Sequence, residues 1–250
     1  MILALETASA ACSVAVGDPD GRLLAEITAP RGPAHTQRLL PDVHHALTIA
    51  GVDVAEVHTV VVGIGPGTFT GLRIGVATAR ALAQALGARL GGVPTIAALA
   101  LALADGDAVT RAAWLVPLID GKRGEVFAAC YSRTVDFGVC ESAAGGIASC
   151  LEVVRDVAAV PAAQLQEFLS AWPAAIVGGD GAYLYAHALP TSAHFARGVE
   201  HATAAMLLRA WSRGVPGTVE DADAVLPIYG RAPDAARWLE KTVAAREAGA

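Results

Sequence analysis

The sequence predicts an α/β protein made of two related units, on three observations. Two strand hairpins, one at the N-terminus and one from Trp114, each open a stretch that then turns helical. A β-branched run over 59–64 runs straight into a glycine-rich loop. After that loop, Phe69, Leu72, Val76, Ala79, Ala83 and Leu86 recur three and four apart, which is the period of a helix. With 250 residues, 54% of them apolar and 17% charged, the chain has enough apolar material for one large core or two joined ones.

Taken in order, residues 2–6 and 12–16 read as strands, Asp18-Pro19-Asp20-Gly21 as a turn and 22–28 as a third strand. Leu39, Val43 and Leu47 at four-residue spacing, closed by Gly51, predict a helix. Pro41 fits best in its first turn, where its missing N–H costs nothing, so regular helix is expected from about Leu40 to Ala50. Asp53 and Glu56 have capping-box spacing for one short turn. Gly87 closes the helix that follows the glycine loop, and 96–104 predicts another with Thr95 as its cap.

From Trp114 the pattern is strand, turn and strand over 114–119, 120–124 and 125–131. Residues 161–172 read as helical, 175–178 as a short strand entering Gly178-Gly179-Asp180-Gly181, and 202–213 as a last helix. The expected units are 1–105 and a smaller 106–231, the last helix packing back on the first, followed by a tail over 232–250.

Composition excludes several functions. Every apolar stretch is interrupted well before the roughly 18 residues a membrane span needs, and no basic leader precedes a hydrophobic region, so a cytosolic protein is expected. The net charge of −6, with Lys122 and Lys241 the only lysines and the arginines scattered, argues against capture of a polyphosphate such as nucleic acid by this chain alone. Cys12, Cys130, Cys140 and Cys150 lack metal-knuckle or redox spacing and read as buried thiols. His44 and His45 are adjacent, so on a helix they diverge by about 100°, and no metal set is expected.

The loop from Gly65 to Gly71 is the sharpest local signal. Glycines at a strand end turn the backbone and aim N–H groups at a helix N-terminus, so Gly65, Gly67 and Thr68 could hold phosphate. The loop matches neither the Walker nor the dinucleotide pattern, and a ligand-free strand-to-helix turn fits it equally. Along the helix behind it, Gly71, Gly75, Ala79 and Ala83 form a ridge of small residues beside the Phe69, Leu72, Val76 stripe. Such a ridge admits a close-packed helix, from this chain or another.

Glu6-Thr7, residues 11–16, His35-Thr36-Gln37-Arg38-Leu39-Leu40-Pro41 and the run Gly65 to Gly75 together resemble the TsaB (YeaZ) family. Gly92-Val93-Pro94-Thr95, residues 120–127 and Pro227-Ile228-Tyr229 followed by Arg231 extend the resemblance over about 1–231. It implies the actin-like ATPase (ribonuclease H-like) fold, two related lobes of which the second is reduced. The implied role is that of a non-catalytic subunit in making threonylcarbamoyladenosine at position 37 of tRNA. Such a subunit activates a TsaD-like catalytic partner through its first two long helices, with a TsaE-like ATPase in the assembly and tRNA bound only by the complex.

On this reading Leu39, Leu40, Val43, Leu47, Phe69, Leu72, Arg73, Gly75, Val76, Ala79 and Arg80 are the expected partner-binding residues, and no intrinsic cofactor is expected. A nucleotide at the partner interface and a homodimer of the free protein both fit the resemblance. The catalytic relatives hold a metal through a His-x-x-x-His pair that the helix here lacks. Glu6 stands where the fold usually has Asp, which weakens any case for phosphoryl transfer, and it is expected as a capped, solvated strand end. The rival expectation is an enzyme of the actin-like pocket, a kinase, ATPase or peptidase-like protein.

Overall fold

A computed structural model describes residues 1–9, 11–30, 35–106, 113–133 and 151–231, with 35–37 as backbone only. Cys140, Cys150 and the tail 232–250 therefore lie outside the described residues.

The first hairpin is β1 (Ile2–Glu6) and β2 (Ala11–Gly17), extended by β3 (Leu23–Pro30). Asp18 shapes the β2–β3 turn by accepting the backbone N–H groups of Asp20 and Arg22. Next come α1 (His35–Ala50), β4 (Thr59–Gly65), α2 (Phe69–Leu86), β5 (Arg89–Pro94) and α3 (Thr95–Gly106). The second unit is β6 (Trp114–Lys122), β7 (Glu125–Arg133), β8 (Leu151–Pro161), α4 (Leu165–Ser170), β9 (Ile176–Gly178), α5 (Asp180–Leu184), β10 (His194–Phe195) and α6 (Ala204–Ser212).

The two sheets have the orders β3-β2-β1-β4-β5 and β10-β9-β6-β7-β8. Read outward from β1 and from β6 they are the same diagram. In each, the founding strand pairs antiparallel with the next, which pairs antiparallel with a third, while two later strands add parallel on the other side. The parallel additions need crossovers, supplied by α1 and α2 in the first unit and α4 and α5 in the second. The duplication hinted at by the two hairpins is thus a duplication of topology.

Five layers result. α1 and α2 cover the outer face of the first sheet with Leu39, Val43, Leu47, Val76, Ala79 and Ala83. α3 and α6 lie between the sheets, where Leu99, Leu103, Leu207 and Leu208 meet Ile2 and Val61 on one side and Ile119 and Phe127 on the other. α4 and α5 cover the far face of the second sheet with Leu165, Phe168, Leu169 and Ala182. α6 is held by side chains from the first sheet: Ser13 accepts the Ala204 N–H at 3.0 Å and Glu26 accepts the Ala205 N–H at 2.9 Å, capping α6 from strands nearly 200 residues earlier.

Several boundaries differ from expectation. α1 begins at His35, not near Leu40, and carries Pro41 inside it. Burial of Leu39, Val43 and Leu47 outweighs the one hydrogen bond the proline forgoes. β8 runs to Pro161, so the expected helix over 161–172 shrinks to a 3-10 turn, Ala162–Gln164, and α4. The strands β5, β8 and β10 were not expected. α2 and its left-handed Gly87 (φ 61°) fall where the period puts them, and the Asp53/Glu56 capping box is formed.

Candidate functional site

The glycine loop lies where β4 hands over to α2, beside the β1–β2 turn. Two of its donors are engaged within the chain. The Gly65 N–H donates to Thr95 Oγ1 at 3.1 Å, and the Thr68 N–H donates to the Ala8 carbonyl at 2.9 Å. Ala8 packs so closely over Gly67 that a Cβ there would collide with its carbonyl. The β1–β2 turn therefore lies directly on the loop.

Glu6 is fully buried, contrary to the solvated strand end expected. Its Oε1 accepts the Ala8 N–H at 2.5 Å and its Oε2 accepts the Thr95 hydroxyl at 2.9 Å. The extra methylene relative to aspartate carries the carboxylate to Thr95, which is itself bonded to Gly65, and a relay Gly65–Thr95–Glu6 ties α3 to the loop. Gly63 has no side chain because the carboxylate occupies that space. Thr95, expected as a helix cap, has its hydroxyl committed to this relay.

The small ridge of α2 also faces inward. Gly71, Gly75, Ala79 and Ala83 are all buried. Thr7 lies against the ridge, donating its hydroxyl to the Gly71 carbonyl at 2.8 Å, and a Cβ on Gly75 would overlap Thr7 Oγ1. Leu72 (0%), Val76 (7%), Leu39 (1%), Val43 (6%) and Leu47 (6%) fill the chain's own core as well. In this chain these residues are packed in its own core, because the amphipathic face of each helix is taken up by the sheet. The exposed residues include Leu40 (56%), His44, His45, Thr48 and Ile49 (67%) on α1, and on α2 Phe69 (51%) with Thr70, Arg73, Ala77, Ala81, Gln84 and Ala85.

Arg73 and Arg80 are not idle on that face. Residues 218–231 form an extended strap along α2. Arg73 stacks on Phe69, 3.9 Å from ring centroid to guanidinium carbon, and donates to Tyr229 Oη at 3.3 Å; Tyr229 stacks on Phe69 at 5.0 Å. Arg80 donates to the Ala222 and Val225 carbonyls at 3.0 and 3.2 Å.

In the second unit, Asp120 near the end of β6 and Asp180 at the start of α5 come together. Asp180 accepts the Asp120 N–H at 2.8 Å, and burial pushes its carboxyl above the ordinary carboxylate range, with the Asp120 charge adding to the rise. Lys122 pairs with Asp120. Among the described residues no three His, Cys, Asp or Glu groups converge as a metal set, and no helix is long and apolar enough to cross a membrane. Cys12 and Cys130 are buried, the latter with its thiol pushed up to about 12 by burial, which makes it unreactive.

Residues 23–166 match the family model described as TsaD: tRNA N6-adenosine threonylcarbamoyltransferase. The solved structure of YeaZ from Pseudomonas aeruginosa is 31% identical with a TM-score of 0.67, over 91% of this chain and 98% of that one. The chain belongs to the TsaB (YeaZ) family. Its match to the Escherichia coli protein named tRNA threonylcarbamoyladenosine biosynthesis protein TsaB is 42% identical over 135 residues, 53% of this chain and 55% of that one. The aligned part thus spans about half the length of the curated relatives. The ethanolamine utilization protein EutJ from Carboxydothermus hydrogenoformans, at 13% identity and a TM-score of 0.51 over 83% of this chain and 88% of that one, shares the fold alone.

In this TsaB-family chain the fold is the actin-like one, with two mixed sheets and the duplicated diagram described above. Sequence reasoning missed the Ala8 carbonyl and Thr95 as occupants of the loop, and the strap as partner of Arg73 and Arg80. A signal for the strap was present: Pro227, Ile228 and Tyr229 are apolar or aromatic residues in a stretch with no helical or strand period.

Proposed function

We propose that the protein is a non-catalytic subunit in the formation of threonylcarbamoyladenosine on tRNA, acting by docking a TsaD-like catalytic subunit. The observation that carries this reading is the loop whose Gly65 and Thr68 donors are taken by Thr95 and Ala8, which leaves those two N–H groups no reach to a phosphate. The names of its relatives supply the pathway. The docking face is the outer side of α1 and α2, with Leu40, Ile49 and Phe69 as exposed apolar anchors and Ala77 and Ala81 allowing a partner helix to approach closely. A nucleotide, where one is held, sits at the joint with the partner and not in this chain's loop. A TsaE-like ATPase and tRNA join only through the assembly, since a chain of net charge −6 with two lysines offers phosphates little. In the absence of the partner, a second copy takes the same face.

The test is rescue of cells depleted of their own TsaB, with threonylcarbamoyladenosine in bulk tRNA quantified by mass spectrometry. The wild-type chain is expected to restore the nucleoside. Leu40→Asp combined with Ile49→Asp is expected to fail while its melting curve stays near wild type, both residues being more than half exposed. Full restoration by the double variant would remove the docking face, and no restoration by the wild-type chain would remove the pathway.

A further inference from the structure

The strap over 218–231 is anchored at both units. On the first, Val219 and Gly92 exchange two backbone hydrogen bonds of 2.8 Å, Val225 is fully buried beside α2, and the Ile228 N–H donates to the Ile64 carbonyl at 2.7 Å. On the second, Gly230, at φ 67°, lies so close to Phe127 of β7 and to Pro66 of the glycine loop that a Cβ would collide with the Phe127 ring. Arg231 then pairs with Glu125 at 3.3 Å, at the start of β7, both side chains less than a quarter exposed. Between these anchors lies Tyr229, held by Phe69 and Arg73 at the exposed first turn of α2.

Apart from one short 3-10 turn, Ala222–Ala224, and the single bridge of Val219 to Gly92, the segment has no regular structure, so its local stability is low and it orders or opens according to its anchors. Here the anchors are on two different lobes. We infer that the strap is a latch coupling the outer face of α2 to the β6–β7 turn of the second lobe: whatever grips or frees Tyr229 tightens or frees the Arg231–Glu125 contact, and the reverse. The route is a contiguous physical one of seven residues, Arg73 and Phe69 to Tyr229, then Gly230 wedged on Phe127, then Arg231 on Glu125. Because coupling in binding and opening equilibria is reciprocal, it is readable from either end. The inference concerns the free chain and stands whether or not α2 proves to be the docking face.

Hydrogen exchange followed by mass spectrometry on the full chain tests it, with Tyr229→Ala and Arg231→Ala. Tyr229→Ala is expected to speed exchange about tenfold at Ile228 and across 122–127, the loss of a stacked ring and its hydrogen bond, while α4 keeps wild-type protection. Arg231→Ala is expected to speed exchange at Ile228 and in the first turn of α2. An increase in Tyr229→Ala confined to 219–231 would overturn the latch, as would a uniform increase that includes α4, which would mean general destabilisation. Wild-type protection of Ile228 and of the first turn of α2 in Arg231→Ala would overturn it from the other end.

Discussion

Leucine at Gly75 is expected to destabilise the folded chain by about 3 kcal/mol, as an overpacked core position does at the upper end of its range. The Cβ alone would overlap Thr7 Oγ1, and Thr7 cannot rotate away without breaking its 2.8 Å bond to the Gly71 carbonyl. The gain in helix propensity over glycine returns under about 1 kcal/mol. At roughly 2 to 4 °C per kcal/mol for a chain of this size, the melting temperature should fall by about 6 to 12 °C. Ala77→Leu, one half-turn away on the exposed side, is the control and should stay within about 0.5 kcal/mol. Equal melting temperatures for Gly75→Leu and wild type would mean that the ridge faces outward after all.

The second large effect is expected from Glu6→Ala. The alanine leaves the Ala8 N–H and the Thr95 hydroxyl without their 2.5 and 2.9 Å acceptors in a fully buried site, and opens a void over Gly63. Stranding buried donors costs about 1 to 3 kcal/mol each, partly offset because the buried carboxylate no longer has to be desolvated, so a net loss of about 2 to 4 kcal/mol is expected in urea denaturation. Glu6→Gln keeps one acceptor oxygen and should lose less. Phosphate release from ATP and magnesium should remain at background in wild type and both variants. Turnover by the wild-type chain that Glu6→Ala abolishes, with stability unchanged, would reverse the role assigned to this carboxylate.

What could be read from the chain was what local rules enforce. α2 came out within a residue because its period, its N-terminal loop and Gly87 agree, and the Asp53/Glu56 box because capping depends on spacing alone. β5 escaped notice because its Gly91 and Gly92 look like a turn. Gly91 is small because Trp211 of α6 packs on it, and Gly92 sits tightly under Ile64 where the strap pairs with it, contacts made about 120 residues later in the chain. β8 is an edge strand, mostly exposed and rich in charge, and it shows no buried face to read.

The site was legible in its parts but not in its orientation. A stripe of glycine and alanine states that something comes close, not whether it is Thr7 of the same chain or another molecule. Glu6 likewise reads as a charge at a strand end until Thr95, 89 positions on, is found bonded to it. Arg73 and Arg80 looked free for a partner because their acceptors lie on a strap with no periodic signature.

The most direct measurement of the central claim is titration calorimetry of the purified chain with the TsaD-type subunit from the same cell. Binding at micromolar or tighter affinity is expected for the wild type. Leu40→Asp with Ile49→Asp should weaken it at least tenfold, about 1.4 kcal/mol, with the fold intact. Undiminished affinity in that variant, or no heat of binding from the wild-type chain, would contradict a partner-docking role for this face.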